Sequence, residues 1–292
     1  MNRFKTVIYG VVLVACLLVV DHGHAAQSVA LVTDMEGSGI LQSKHGKVPI
    51  SILAELETDT DIVLAAHSRL VMVYLTAGSE FELRGPGRFV VSSANPLVLE
   101  GRLPVRRALL NPIYRDAKIR SSGLIQASLA MRSAAPRKPL EMIEPIGAKL
   151  LDAQPRFHWV AAERGVLYRF RLADGSGQTL LDTEVKIETL NLPANVALEE
   201  GQTYRWSVEA QFPDGRRLSN HGEVQMLEAD HRQRIEQARP QPHAPLAQRV
   251  LFATLLEQFG LRDEARKYWS ALAKERPHDQ RLSILARGEH GF

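Results

Sequence analysis

Few residue spacings in this chain could support chemistry. Asp174, Ser176, Gln178 and Asp182 space their oxygens like a calcium loop. Position twelve of that loop is Val185, however, where the ion needs a bidentate carboxylate, so the segment is read as a turn. Glu55-Leu56-Glu57 and Asp59-Thr60-Asp61 place acids close together, as glycoside hydrolysis requires. Such pairs act only inside a deep sugar cleft, and here they are read as solvated. Of ten histidines, two precede residue 27, and His45, His67, His158 and His221 are scattered singly among turns and linkers. No spacing suits a zinc protease, a nucleophile elbow, a phosphate loop or a dinucleotide fold. Gly37-Ser38-Gly39 and Gly175-Ser176-Gly177 lack the strand and helix that would make a phosphate cradle. The expectation is a non-enzyme with no catalytic, metal or cofactor-binding residue and no cofactor. No binding residue can be assigned from spacing.

Composition narrows the class further. The 292 residues are 45% hydrophobic, 24% charged and 6% aromatic, an ordinary globular balance. Net charge is +3, and without residues 1–26 the chain keeps 34 basic against 32 acidic residues, too even for a nucleic-acid partner. Asn2-Arg3-Phe4-Lys5 followed by the uncharged run Val7 to Val20 is shorter than a bilayer crossing. It reads as a signal peptide over 1–26, with Gly23 and Ala25 allowing cleavage after Ala25 or Ala26. The product would be exported, periplasmic, and without an integral membrane span. Leu13-Val14-Ala15-Cys16 offers a competing lipobox in which Cys16 carries the anchor, although Leu17 to Val20 continue the apolar run past it. Cys16 is the single cysteine, so a processed chain has neither a disulfide framework nor a thiol nucleophile.

The elements that would position any site fall into three groups. Four of the 15 prolines lie between Pro136 and Pro155, and three more crowd residues 239–245. Proline fixes φ and removes a donor, so 133–155 is read as a linker. Residues 28–132 and 156–227 alternate with period two, whereas 246–287 has helical spacing. In the first segment Leu70, Met72 and Tyr74 share one strand face, yet Val71, Val73 and Leu75 make the other face apolar too. Burial on both faces is expected there. Phe81 and Leu83 alternate with Glu80, Glu82 and Arg84, which predicts one wet face. Ala77-Gly78 and Gly85-Pro86-Gly87 supply the turns on either side.

On these residues, Val32 to Gly37, Ala65 to Leu75 and Glu80 to Leu83, the chain resembles the FecR-type periplasmic domain over about 28–93, extending to 132. Some members of that family relay an envelope signal through an inner-membrane helix. This chain has no second span and is read as closer to exported members that couple the domain to other binding modules.

In the second segment Tyr204, Trp206, Val208, Ala210 and Phe212 alternate with Arg205, Ser207, Glu209 and Gln211. Tyr168, Phe170 and Leu172 do the same, with Asp174-Gly175 and Asp214-Gly215 as turns. Leu198 to Tyr204 resembles the corner before a late strand of fibronectin type III domains, and Trp159 resembles their early core tryptophan. The resemblance implies that the Tyr204 hydroxyl bonds upstream backbone. Trp159, Trp206 and Tyr204 are read as core, with a sugar-stacking platform as the alternative.

Gly260, Ala265, Trp269 and Pro277 resemble one tetratricopeptide repeat over 246–279, with Leu272 at a small-residue position and Arg249 replacing an early aromatic. Val250, Leu251, Phe252, Ala253, Leu255, Leu256 and Phe259 make the first helix apolar nearly all round, so one partner helix cannot cover it. Either flanking helices near 228–238 and 279–287 complete a bundle, or part of the face stays open as a groove for another envelope protein.

The fold class expected is mainly β: a FecR-like β domain over 28–132, a fibronectin type III-like sandwich over 156–227 and a helical tetratricopeptide-like segment over 228–292. The function expected is a binding or scaffold protein of the bacterial cell envelope, in organisation or signalling. Its partners would be other cell-envelope proteins. The alternative is a peptidoglycan- or glycan-binding accessory protein with cell-wall glycan as ligand.

Overall fold

The computed structural model describes residues 28–44, 46–74, 76–108, 113–114, 140–145, 149–160 and 162–288. Residues 1–27 with Cys16, on which the expected signal peptide falls, lie outside the described residues together with His45, Leu75, Pro136 and Pro139. The chain is mainly β, with antiparallel sheets followed by four C-terminal helices.

The first strands are β1 (Ser28–Glu36), β2 (Gly39–Ser43), β3 (Gly46–Pro49), β4 (Glu55–Glu57), β5 (Asp61–Leu64), β6 (Arg69–Tyr74), β7 (Ser79–Arg84), β8 (Gly87–Val91), β9 (Pro96–Glu100) and β10 (Val105–Ala108). They form two five-stranded sheets, ordered β10-β7-β6-β1-β4 and β3-β2-β5-β8-β9. Between the sheets lies a core that includes Val32, Leu56, Ile62, Leu70, Met72, Tyr74, Leu83 and Phe89. Period two selects these residues, since each is the inward member of its alternating strand. Gly85 is required at the β7–β8 corner because a Cβ there would sit 1.9 Å from the Ala65 carbonyl oxygen.

A second sandwich follows, from β11 (Met142–Glu144), β12 (Lys149–Leu150), β13 (Arg156–Trp159), β14 (Leu167–Asp174), β15 (Thr179–Val185), β16 (Thr189–Asn191), β17 (Thr203–Gln211) and β18 (Arg217–Met226). A three-stranded sheet, β11-β13-β16, faces a five-stranded one, β12-β18-β17-β14-β15. Two of these strands, β11 and β12, lie inside 133–155, which proline content marks as a linker. The prolines flank short strands there instead of excluding them, and β12 pairs in parallel with β18. Trp159, Tyr204 and Trp206 all point into the core, so none forms a sugar platform. Trp159 stacks on Phe170 at 6.4 Å and 9°. The Tyr204 hydroxyl accepts the Glu199 N–H at 2.7 Å, the corner bond that the resemblance implies.

The helices are α1 (Ala229–Ala238), α2 (Leu246–Gln258), α3 (Arg262–Glu275) and α4 (Gln280–Ala286). Gly260 (φ 78°) turns the chain between α2 and α3, a left-handed conformation that costs glycine little. Ala265 and Trp269 are buried at the α2–α3 seam, and the Trp269 indole donates to Glu257 Oε1 at 3.3 Å. Arg249, where an aromatic was expected, fastens the start of α2 to the end of α3 through two bonds to the Glu275 carboxylate.

Flanking helices α1 and α4 are present, but they do not finish the cover of α2. Its core also contains Leu31, Ile52, Val73 and Tyr114 of the first sandwich and Leu227 at the end of the second. The face left open in the alternative to a completed helical bundle is therefore filled from within the chain by residues of the two sandwiches. The outward face of β6 is apolar because α2 lies over it: Val73 joins the helical core while Met72 and Tyr74 join the inter-sheet core.

Replacing Tyr204 by Phe strands a part-buried amide donor, which costs about 1–3 kcal/mol. The urea midpoint should fall with an unchanged slope, and an unchanged midpoint would show that the corner bond contributes nothing.

Candidate functional site

Ionisable groups converge where the helices meet the first sandwich. The convergence begins with a β-bulge between Val32 and Asp34 in the pairing of β1 with β6. One extra residue, Thr33, is buried there and donates its hydroxyl to the Val71 carbonyl at 3.3 Å. The insertion switches strand alternation by one position, so that Asp34 lies opposite Val71 on the outward face and not in the core. Glu36, two residues on, lies opposite Arg69.

Arg69 and Arg276 answer these carboxylates from different directions. Arg69 reaches Asp34 at 2.5 Å and Glu36 at 3.1 Å from the neighbouring strand. Arg276, just beyond α3, reaches Asp34 at 3.1 Å and Glu36 at 2.7 Å across 240 or more residues of sequence. The Asp34 side chain is 4% exposed, so the two guanidinium groups replace the water it has lost. A second contact lies beside it. The Asp279 carboxylate caps α4 by accepting the Leu282 N–H through Oδ1 at 3.0 Å, while Oδ2 accepts the Ile52 N–H of the first sandwich, also at 3.0 Å.

The same sheet corrects one expectation. Glu80 and Glu82 do not face water, being 9% and 4% exposed. β10 runs alongside β7 and lays Arg107 over both, at 3.4 Å from Glu80 and 3.2 Å from Glu82, while Arg84 meets Glu82 at 2.7 Å. The alternation of β7 is real, but its polar face is closed by arginines from its neighbours.

These charges are satisfied rather than poised. Arg69, which bonds Glu36, holds that carboxyl below its ordinary 4.5, and Arg276 adds to the effect. Arg249 does the same for Glu275. Burial pushes Glu82 up, yet Arg84, Arg69 and Arg107 together hold it below the usual range. Glu264, at the start of α3, behaves oppositely: burial raises its pKa, Asp263 and Asp152 add repulsion, and its Oε2 is buried without a hydrogen-bond partner.

The remaining sequence candidates stay apart. His67 lies in the β5–β6 turn, His158 on β13 and His221 on β18. Asp174 Oδ1 accepts the Ser176 and Gln178 amides and the Ser176 hydroxyl, and Asp182 is held by Arg169 and Arg171, so the calcium-like spacing serves a turn and an ion pair. Asp61 bonds Arg88 on one sheet, whereas Glu55 and Glu57 lie on β4 of the other. Among the described residues, Glu228, Asp230 and His231 group their ligand atoms within 4.8 Å. They sit at the positive end of α1, which opposes a cation.

No protein-family model and no curated protein sequence matches the chain. Solved structures similar to parts of it include the following two. The fn3 domain of the human collagen alpha-1(XX) chain is 21% identical, covering 39% of this chain and 92% of that one with a TM-score of 0.26. CopC from Methylosinus trichosporium OB3b is 14% identical, covering 31% and 95% with a TM-score of 0.25. The sandwich fold rests on the strand pairing and tyrosine corner given above. Among the described residues, no helix is long and apolar enough to cross a membrane.

The ion cluster carries a pH dependence of known sign. A carboxylate with a lowered folded pKa stabilises the protein above its unfolded value and loses that contribution as pH falls through the folded one. Stability should therefore drop below about pH 4.5 as Glu36, Glu82 and Glu275 protonate. Arg276→Ala should cost about 2–4 kcal/mol at pH 7, because Asp34 keeps Arg69 alone, and should shallow the acid limb. Urea unfolding at pH 7 and pH 4 measures both, and equal pH slopes in the two proteins would contradict the assignment.

Proposed function

We propose that this chain is an exported, non-enzymatic scaffold of the bacterial cell envelope, a brace-and-surface protein that presents its sandwiches to other envelope proteins. The observation that carries this reading is the helical core shared with the first sandwich. α2 is apolar nearly all round, and that surface is consumed in holding the protein together. What remains for a partner is sheet and loop surface. The converging ionisable groups Asp34, Glu36, Arg69 and Arg276 are neutralised by one another, as structural ion pairs are.

In this reading residues 1–26 direct export, 28–93 are a FecR-type domain coupled to a fibronectin type III-like module, and 246–279 are a tetratricopeptide-like hairpin turned inward as a clamp. A sugar platform on the second sandwich finds Trp159, Tyr204 and Trp206 buried, whereas the glycan-binding alternative rests on the first β domain and makes no use of them.

Crosslinking in intact cells, followed by fractionation and mass spectrometry, tests the proposal. The processed chain should be recovered from the envelope fraction joined to other envelope proteins. Recovery of the unprocessed chain from the cytosol would overturn it.

A further inference from the structure

The helices hold the two sandwiches by unlike joints. Just beyond the end of α3, Arg276 meets Asp34 and Glu36 of the first sandwich, opposite charges that attract. At its start α3 lies against the second sandwich, where Arg266 reaches Glu144 at 3.3 Å and the Lys149 side chain passes over Gly260. Glu264 belongs to this second joint. Its Oε2 is buried without a hydrogen-bond partner, whereas buried carboxylates are normally paired.

The charges around Glu264 leave it without a close counter-ion. Asp263, its neighbour on α3, is 7% exposed and turns to Arg266 at 3.7 Å, so that Arg266 is shared between Asp263 and Glu144. Lys267 attracts Glu264, but from an exposed position. From the second sandwich comes another carboxylate, Asp152, which repels it and is fixed in place because its Oδ1 accepts the Gln154 N–H at 2.9 Å. The positive start of α3 favours an anion, yet burial outweighs that preference.

We propose that Glu264 takes up a proton at this joint in mild acid, and that the helices then grip the second sandwich more tightly than at neutral pH. The inference goes beyond the scaffold reading and does not rest on it. Linkage sets the sign. A carboxyl whose folded pKa is raised binds its proton more readily in the folded chain, so its contribution is lost as pH rises through the folded value. Glu36, Glu82 and Glu275 act in the opposite sense, and only as pH falls below about 4.5. Above that pH there is a window in which acid strengthens the joint at the start of α3 before it weakens the one at the end.

Glu264→Gln keeps the shape of the side chain and removes its charge. In urea unfolding of the full chain it should raise the folded-to-unfolded ratio about fivefold or more at about pH 7, and that gain should fall to half or less at about pH 5. Asp152→Asn should give part of the same gain, and the double variant less than the product of the two ratios, because both substitutions relieve one repulsion. Hydrogen exchange corrected for intrinsic rates locates the effect. Amides of β11 and β12 should gain protection between about pH 7 and about pH 5 in the unaltered chain but not in Glu264→Gln. No gain from Glu264→Gln, or a gain equal at both pH values, overturns the proposal. So does protection that changes equally throughout both sandwiches, which would make proton uptake a property of the whole fold and not of this joint.

Discussion

A helix that is apolar nearly all round cannot rest on one neighbour. α2 buries Leu246, Ala247, Val250, Leu251, Phe252, Ala253, Leu255 and Leu256 together. At about 1.5–3 kcal/mol for each large side chain, leaving half of the six in water would cost about 5–9 kcal/mol, comparable to the whole stability of a typical domain. Three helices shield part of the surface, and the first sandwich supplies the rest through Leu31, Ile52, Val73 and Tyr114. The Tyr114 hydroxyl donates to the Ala238 carbonyl at 2.6 Å, so the polar tip of that residue also finds a partner in the helices. The same helices touch the second sandwich, where Arg232 donates to the Leu151 carbonyl and meets Glu200 at 3.0 Å, and Arg266 meets Glu144 at 3.3 Å. Burial of one helix thus ties the ends of the chain to its middle.

Charge gives this docking its register. Apolar contact is non-directional and would tolerate a helix shifted along the sheet. Arg276 against Asp34 and Glu36, with Asp279 against the Ile52 amide, permits one position. The bulge at Thr33 makes that position available by turning Asp34 outward. A local irregularity in one strand therefore fixes a contact with residues near the other end of the chain.

The parts legible in sequence are those with strong local periodicity. β14 and β17 alternate cleanly and fold as expected, the Tyr204 corner is formed, and Gly260, Ala265 and Trp269 occupy the helical turn and seam. Even the double-faced character of β6 is visible in Val71 and Val73, although what covers the second face is not. The ion cluster is hidden for a definite reason. Its members are Asp34, Glu36, Arg69 and Arg276, drawn together by a bulge and by long-range docking that no spacing encodes. Likewise β10 is only four residues, Val105 to Ala108, too short to announce that it would bury Glu80 and Glu82. The short strands β11 and β12 are masked by nearby prolines, whose breaking tendency is local and was outweighed by pairing with β13 and β18.

The central claim is that α2 and the outward face of β1 and β6 form one cooperative unit. Native-state hydrogen exchange of the full chain under increasing denaturant tests it most directly. Amides of α2 and of β1 and β6 should open with a common free energy and a common denaturant slope, because exposing either exposes the other. Helical amides that open at markedly lower free energy, while the sheet stays fully protected, would mean that the helices merely rest on the sandwich.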